Sequence, residues 1–201
     1  MKSNHLVRPF PTGILLASAS PRRQEILRLA GINFQVVPAN IDERVNPALS
    51  PSSQALFLAR KKALVISDRY PGKAVLAADT IVALGEKSLG KPGNDEEAFA
   101  MLTSLSGKTH SVFTGVALFG GDEEINFVQK TSVSFYELTD EEIGAYIATG
   151  EPFDKAGAYG IQGRGGLLVE KIDGDYWNVV GLPIARLLRE VKKRGSVILV
   201  S

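Results

Sequence analysis

Hydrophobic and polar residues change their spacing several times along this chain, and each change marks an element. Residues 14–17 form a short apolar run of the kind buried strands show, and Pro21 follows at a first helical position with Ser20 as cap. The helix opened there carries Ile26, Leu27 and Ala30 on one side and closes at Gly31, where a left-handed cap suits glycine. Residues 34–37 read as a second strand. Ser52 or Ser53 caps a helix through Asp68, with Leu56, Ala59, Ala63 and Ile66 on one face, and Tyr70-Pro71-Gly72 breaks it. Residues 74–84 then make a long buried strand interrupted by Asp79 and Thr80.

Asn94 caps a helix carrying Ala98, Met101, Leu102 and Leu105, closed by Gly107. Alternation over residues 111–118 and 127–136 predicts two strands, with Gly120-Gly121 as the hairpin turn. Thr139 with Glu142 is a capping-box pattern for a helix to about Thr149, ended by Gly150. Residues 154–166 are glycine-rich and suit a loop that approaches a ligand closely. A last helix covers residues 183–193, and residues 197–200 read as a terminal strand. Strands alternating with helices, followed by a hairpin, predict a mixed α/β sheet flanked by helices. The division expected is an extension over residues 1–13, one domain over 14–194 and a tail over 195–201.

Length and composition narrow the chemistry. A chain of 201 residues buries a core without covalent staples, and the absence of cysteine excludes disulfides, thiolate zinc sites and a cysteine nucleophile. A formal net charge of +1 supplies no global field for a nucleic-acid polyanion, so small anions are the better partners. Residues 1–12 lack the apolar stretch of a signal peptide, and no run approaches the roughly 20 apolar residues of a membrane span. The expected compartment is the cytoplasm, with no membrane partner.

Several constellations carry chemistry. Ser18-Ala19-Ser20-Pro21-Arg22-Arg23 brings hydroxyls, helix-start amides and two guanidinium groups to a strand end, which are the parts of a phosphate site; the alternative is a capped helix with solvated arginines. It is not a Walker loop, because the glycines and the Gly-Lys-Ser/Thr ending are missing. Asp79-Thr80 is sharper, since a carboxylate inside an apolar strand is costly unless paired or bound to a cation. Asp42-Glu43 brings further carboxylates after the second strand, and a few oxygens plus substrate phosphates are what Mg²⁺ prefers. Lys61, Lys62 and Lys91 are candidate phosphate neutralisers or surface charges. Gln162, in the glycine-rich loop, offers an amide that both donates and accepts, the complement of a pyrimidine imide edge. His5 and His110 are too isolated for a metal site.

Five segments in order resemble the Maf family. They are Leu16-Ala17-Ser18-Ala19-Ser20-Pro21-Arg22-Arg23, Ala78-Asp79-Thr80, Gly90-Lys91-Pro92, Leu105-Ser106-Gly107, and the run from Asp154-Lys155-Ala156-Gly157 through Ala158-Tyr159-Gly160-Ile161-Gln162-Gly163. The resemblance covers roughly residues 14–191 and implies an elongated mixed α/β fold, related to the inosine triphosphate pyrophosphatases, with a nucleotide cleft between two lobes and commonly a homodimer. Asp79 matches the acid assigned as catalytic base, and Arg22, Thr80 and Gln162 match specificity positions. Ser18, Arg23, Glu43, Lys62 and Lys91 match cleft positions expected to hold phosphates or metal.

The resemblance implies hydrolysis of nucleoside triphosphates to the monophosphate and pyrophosphate, with a divalent cation held near Asp79 and Glu43. That ion is expected to be Mg²⁺, with Mn²⁺ or Co²⁺ as alternatives. Gly160-Ile161-Gln162-Gly163 looks like the branch acting on dTTP and UTP, whereas the 7-methyl-GTP branch tends to carry an acid at the position of Gln162. The alternatives are a pyrophosphatase for 7-methyl-GTP or other modified nucleotides, and a nucleotide-binding regulator of septum formation without catalysis. Lys61, where relatives often carry Glu, makes the surroundings of Lys62 more basic.

Overall fold

In the computed structural model, which describes residues 8–9, 13–120, 123–194 and 196–197, the chain begins β1 (Arg8–Pro9), β2 (Ile14–Leu16), α1 (Pro21–Leu29), β3 (Phe34–Val36), α2 (Pro51–Arg69), β4 (Ala74–Leu84) and β5 (Lys87–Leu89). It continues α3 (Asp95–Leu105), β6 (Thr109–Gly120), β7 (Glu123–Phe135), α4 (Asp140–Ile147), β8 (Val169–Asp173), α5 (Tyr176–Val180), α6 (Ile184–Lys193) and β9 (Ser196–Val197), with short 3-10 turns between α4 and β8. The main sheet has seven strands in the order β3-β2-β4-β6-β7-β8, and β5 pairs with β4. β3, β2 and β4 run parallel, and the pairs from β4 through β8 are antiparallel, the mixed sheet the pattern predicts.

Period-two alternation decides the layers. Leu15 and Ala17, with Val75 and Ala77 of β4, pack under Ala59, Ala63 and Ile66 of α2. Ile14, Leu16, Leu76 and Ala78 face the other way, onto Ile26 and Leu27 of α1 and Leu187 and Val191 of α6. A second core gathers Val82, Val112, Val133 and Phe135 from the other ends of β4, β6 and β7 with Leu102 of α3 and Ile143 of α4. The three long strands therefore run through two lobes, and Asp79 and Thr80 stand where β4 passes from one to the other. Gly115 lets α2 lie close to the sheet, since a Cβ there would come within 2.3 Å of the Ala55 carbonyl oxygen. No helix among the described residues is long and apolar enough to cross a membrane.

Several expectations are corrected. The cap of α2 is Ser50, whose hydroxyl accepts from the Ser53 amide; Pro51 takes the first helical position that suits its missing N–H, so the cap falls one residue before it. Ser20 holds the cap position of α1 but its side chain makes no capping bond. β6 and β7 are longer than the alternation predicts, reaching Thr109 and Gly120 in the first and starting at Glu123 in the second. β8, with Glu170, Lys171 and Asp173, carries no apolar alternation that predicts it; it is an edge strand, where charge is normal. The short β5 and α5 likewise leave no mark in the pattern. The terminal strand is seen as Ser196–Val197, paired in parallel with Arg8–Pro9. Residues 198–200, Gly121 of the expected hairpin turn and His5 lie outside the described residues.

Candidate active site

A cleft of about 760 Å³ opens between the lobes. Because Asp79 follows Val75 and Ala77 on the α2 side of β4, its carboxylate meets α2, where Lys62 lies one position from the buried Ala63. Lys62 Nζ stands 2.5 Å from Asp79 Oδ1 and 2.7 Å from Glu43 Oε1. The Lys62 side chain is 9% exposed, so one nearly buried ammonium holds two carboxylates at the cleft wall. Burial pushes the Glu43 carboxyl upward, but the hydrogen bond and charge of Lys62, helped by Lys91 and Arg23, outweigh it and hold Glu43 below the usual range.

Thr80 points to the opposite face of β4, where α1 supplies the arginines. Arg23 donates from Nη1 to Ser18 Oγ at 2.9 Å, from Nε to the Gly181 carbonyl at 2.9 Å and from Nη2 to Thr80 Oγ1 at 3.3 Å. Burial lowers the pKa of this guanidinium, Asp79 works against that, and arginine stays charged throughout. Arg22 reaches Asp154 of the second lobe at 3.4 Å across the mouth. Asp154 is itself gripped by Lys155 at 2.5 Å.

All nine candidate residues line this cleft: Ser18, Arg22 and Arg23 at the start of α1, Glu43 and Lys62 beside Asp79, Thr80 on the far face, and Lys91 and Gln162 from the second lobe. The first turn of α1 also lines it, and its leading N–H groups have no partner within the helix. Five basic side chains, counting Lys155, stand against three acidic ones, so the lining favours an anion. The second-lobe wall combines Lys91, Asp154, Lys155 and Tyr159 with the backbone of the glycine-rich loop. Gly157, at φ 72°, packs so that a Cβ would fall 2.8 Å from Val82 Cγ1, and its amide donates to the Gly90 carbonyl at 2.9 Å, tying the glycine-rich loop to the Lys91 turn.

Asp42 and Lys61, also singled out by the sequence, fall outside the cleft lining, as does His110. Asp42 turns away from Glu43 to bind Arg44, 2.6 Å between Oδ2 and Nη2, and Lys61 donates to the Asp42 carbonyl at 2.7 Å. His110 is buried, its Nε2 2.8 Å from the Tyr159 hydroxyl, between the rings of Phe135 and Tyr159. Sequence reasoning missed Thr114, Asn178 and Gly181, which surround Thr80 and Arg23. A threonine in a strand and an asparagine in a short helix carry no signal of such a role.

The family model described as "Maf-like protein" matches residues 13–194. The chain belongs to this family. A protein of Geobacillus sp. (strain WCH70) named "dTTP/UTP pyrophosphatase" is 52% identical over 90% of this chain and 98% of its own length. A relative of the same name in Bacillus cereus (strain ATCC 10987 / NRS 248) is also 52% identical, over 90% of this chain and 89% of its own. The solved Ham1 protein of Staphylococcus aureus is 16% identical over 63% of this chain and 73% of that one, with a TM-score of 0.43. That likeness is too partial to bear on the Maf-like fold, which rests on the sheet order and the family match.

Asp79 and Glu43 are the acids of this wall that could hold a divalent cation. No cluster of three His, Cys, Asp or Glu side chains exists among the described residues, so no all-protein cage is present. Asp79 and Glu43 converge on one ammonium in a cleft that favours phosphates. Two hard oxygen donors completed by substrate phosphates and water are the coordination Mg²⁺ takes in phosphoryl-transfer sites.

Proposed function

We propose that this Maf-like protein hydrolyses dTTP and UTP to the monophosphate and pyrophosphate, by attack of water on the α phosphorus with pyrophosphate leaving. The observation that carries the reading is the buried Asp79 carboxylate, held by Lys62 on a cleft wall whose basic groups outnumber its acids. The names of the Geobacillus and Bacillus relatives support it, and so does Gln162 on the second-lobe wall.

Asp79 takes the proton of the attacking water. Its carboxylate lines the cleft, within reach of a water held against the bound phosphates. Lys62 keeps Asp79 in place, while Arg22, Arg23 and Lys91 neutralise charge developing on the phosphate oxygens. When bound at Asp79 and Glu43, Mg²⁺, or Mn²⁺ or Co²⁺ in its place, would supply electrostatic stabilisation of the phosphates and a lowered pKa for coordinated water. Gln162 donates to one imide carbonyl and accepts from the imide N–H of thymine or uracil. The cytoplasm and a homodimer complete the reading, and light scattering checks the second.

The test is pyrophosphate release from a panel of dTTP, UTP, CTP, ATP, GTP and 7-methyl-GTP, with and without Mg²⁺. Preference for dTTP and UTP is expected. Release only from 7-methyl-GTP, or none from any member, would overturn the assignment.

A further inference from the structure

Counting protons around Thr80 gives it a direction that a distance alone does not. Thr114 Oγ1 lies 2.9 Å from the Asn178 backbone carbonyl and 2.9 Å from Thr80 Oγ1. A carbonyl only accepts, so the one hydroxyl proton of Thr114 is spent on Asn178. Thr114 must then accept from Thr80, and Thr80, its own proton spent, accepts from Arg23 Nη2 at 3.3 Å. The bonds run one way, from Arg23 through Thr80 and Thr114 to Asn178.

The same short helix closes the circuit. Arg23 Nε donates to the carbonyl of Gly181, three residues beyond Asn178, at the C-terminal end of α5. Carbonyls at a helix C-terminus lack helical partners and carry its partial negative charge, so they suit both a hydroxyl proton and a guanidinium. Thr114 is fully buried, directly opposite Thr80 in the β4–β6 register, and Asn178 is fully buried and anchored by its side-chain amide to the Val112 carbonyl and Thr131 Oγ1. The ring thus ties a charged cleft group to the sheet and to α5 at once.

We propose that Thr114 is a positioning residue that, through Thr80, holds the Arg23 guanidinium aimed at the substrate's phosphates. The proposal rests on the triphosphate reading of the cleft. It makes Thr80 an acceptor that acts through Arg23 and gives no proton to the substrate. Loss of the ring lets Arg23 rotate away from its aim, and affinity for the polyphosphate falls with it.

The probes are inorganic tripolyphosphate and the nonhydrolysable α,β-imido dTTP, with affinity read by calorimetry on wild type, Thr114→Val, Thr114→Ser, Thr80→Val and the double variant Thr80→Val/Thr114→Val. Thr114→Val is expected to weaken both probes about tenfold, as loss of one hydrogen bond in a chain to a charged group does. Thr114→Ser, which keeps the hydroxyl, is expected to recover most of that. The double variant is expected to lose no more than Thr80→Val alone, because both changes cut one chain. Wild-type affinity in a folded Thr114→Val, or additive losses in the double variant, would overturn the proposal. Should Thr114→Val not fold, Thr114→Cys replaces it, since its thiol fills the site and accepts poorly. If the wild type binds tripolyphosphate but releases no pyrophosphate from any nucleotide, the proposed function fails and the ring is still judged by binding. If it binds neither probe, both fall.

Discussion

The two walls of the cleft are built on different principles. On the first-lobe wall, charges are held by one another and by fixed acceptors: Lys62 holds Asp79 and Glu43, and Arg23 donates to Ser18, Thr80 and Gly181. The second-lobe wall adds Lys91, Asp154 and Lys155, but beside Gln162 its shape comes from backbone, with Gly157 against Val82 and Gly160 against the Lys155 stem. The difference follows from the two ends of a nucleotide. Phosphate recognition needs charges that do not relax when the anion arrives, whereas base recognition needs a close, uncharged surface with a few directed hydrogen bonds.

Breaking the first-lobe wall is expected to do the most damage. Asp79→Asn should lower turnover by orders of magnitude, because the amide neither takes a proton nor balances a cation. It should also cost about 1 to 3 kcal/mol of stability, less than stripping a buried pair usually does, since Glu43 remains for Lys62. Single-turnover kinetics with denaturant unfolding separates the two, and full turnover in a folded variant would remove Asp79 from the chemistry.

The two arginines sharpen the comparison within that wall. Arg23→Ala should weaken triphosphate binding by about 1.5 to 3 kcal/mol and also lower the melting temperature, because Ser18, Thr80 and Gly181 all lose their donor. Arg22, with a longer ion pair to Asp154 and a side chain 32% exposed, should cost binding without costing stability when changed to Ala. Equal thermal shifts in the two variants would contradict the division.

On the second-lobe wall, Gln162→Glu should lower kcat/KM for UTP by about 1 to 3 kcal/mol relative to GTP, because a carboxylate faces the imide carbonyl with no proton to give. The ratio of the two kcat/KM values, in wild type and variant, is the measurement. An unchanged ratio would mean that Gln162 does not read the base.

The smallest effect on catalysis belongs to His110, behind the second wall. Burial pushes its pKa from 6.5 down to about 4. The unfolded chain therefore takes up this proton first, so stability falls as pH drops from about 6.5 towards about 4 and levels off below that. Unfolding free energies between pH 4 and 7 should show a shallower acid slope in His110→Gln than in wild type, with turnover at neutral pH little altered.

Much of this molecule is written in local pattern. The strand at residues 74–84 and the caps at Asn94 and Thr139 follow from residue type and spacing, and β4, α3 and α4 stand where those signals put them. Asp79 was conspicuous for the same reason, since a charge in an apolar strand violates the period around it. What the pattern does not contain is which side chains meet. Asp42 and Glu43 are neighbours in sequence, yet one binds Arg44 and the other Lys62. Thr114 has no local mark, and its place in the ring depends on the β4–β6 register and on where α5 docks. Periodicity is a property of a few consecutive residues and their backbone geometry, so it is present in the chain before folding. The pairing of Lys62 with two carboxylates, and of Arg23 with Ser18, Thr80 and Gly181, joins segments 5 to 158 residues apart, and only the packed sheet brings those partners within the reach of a hydrogen bond.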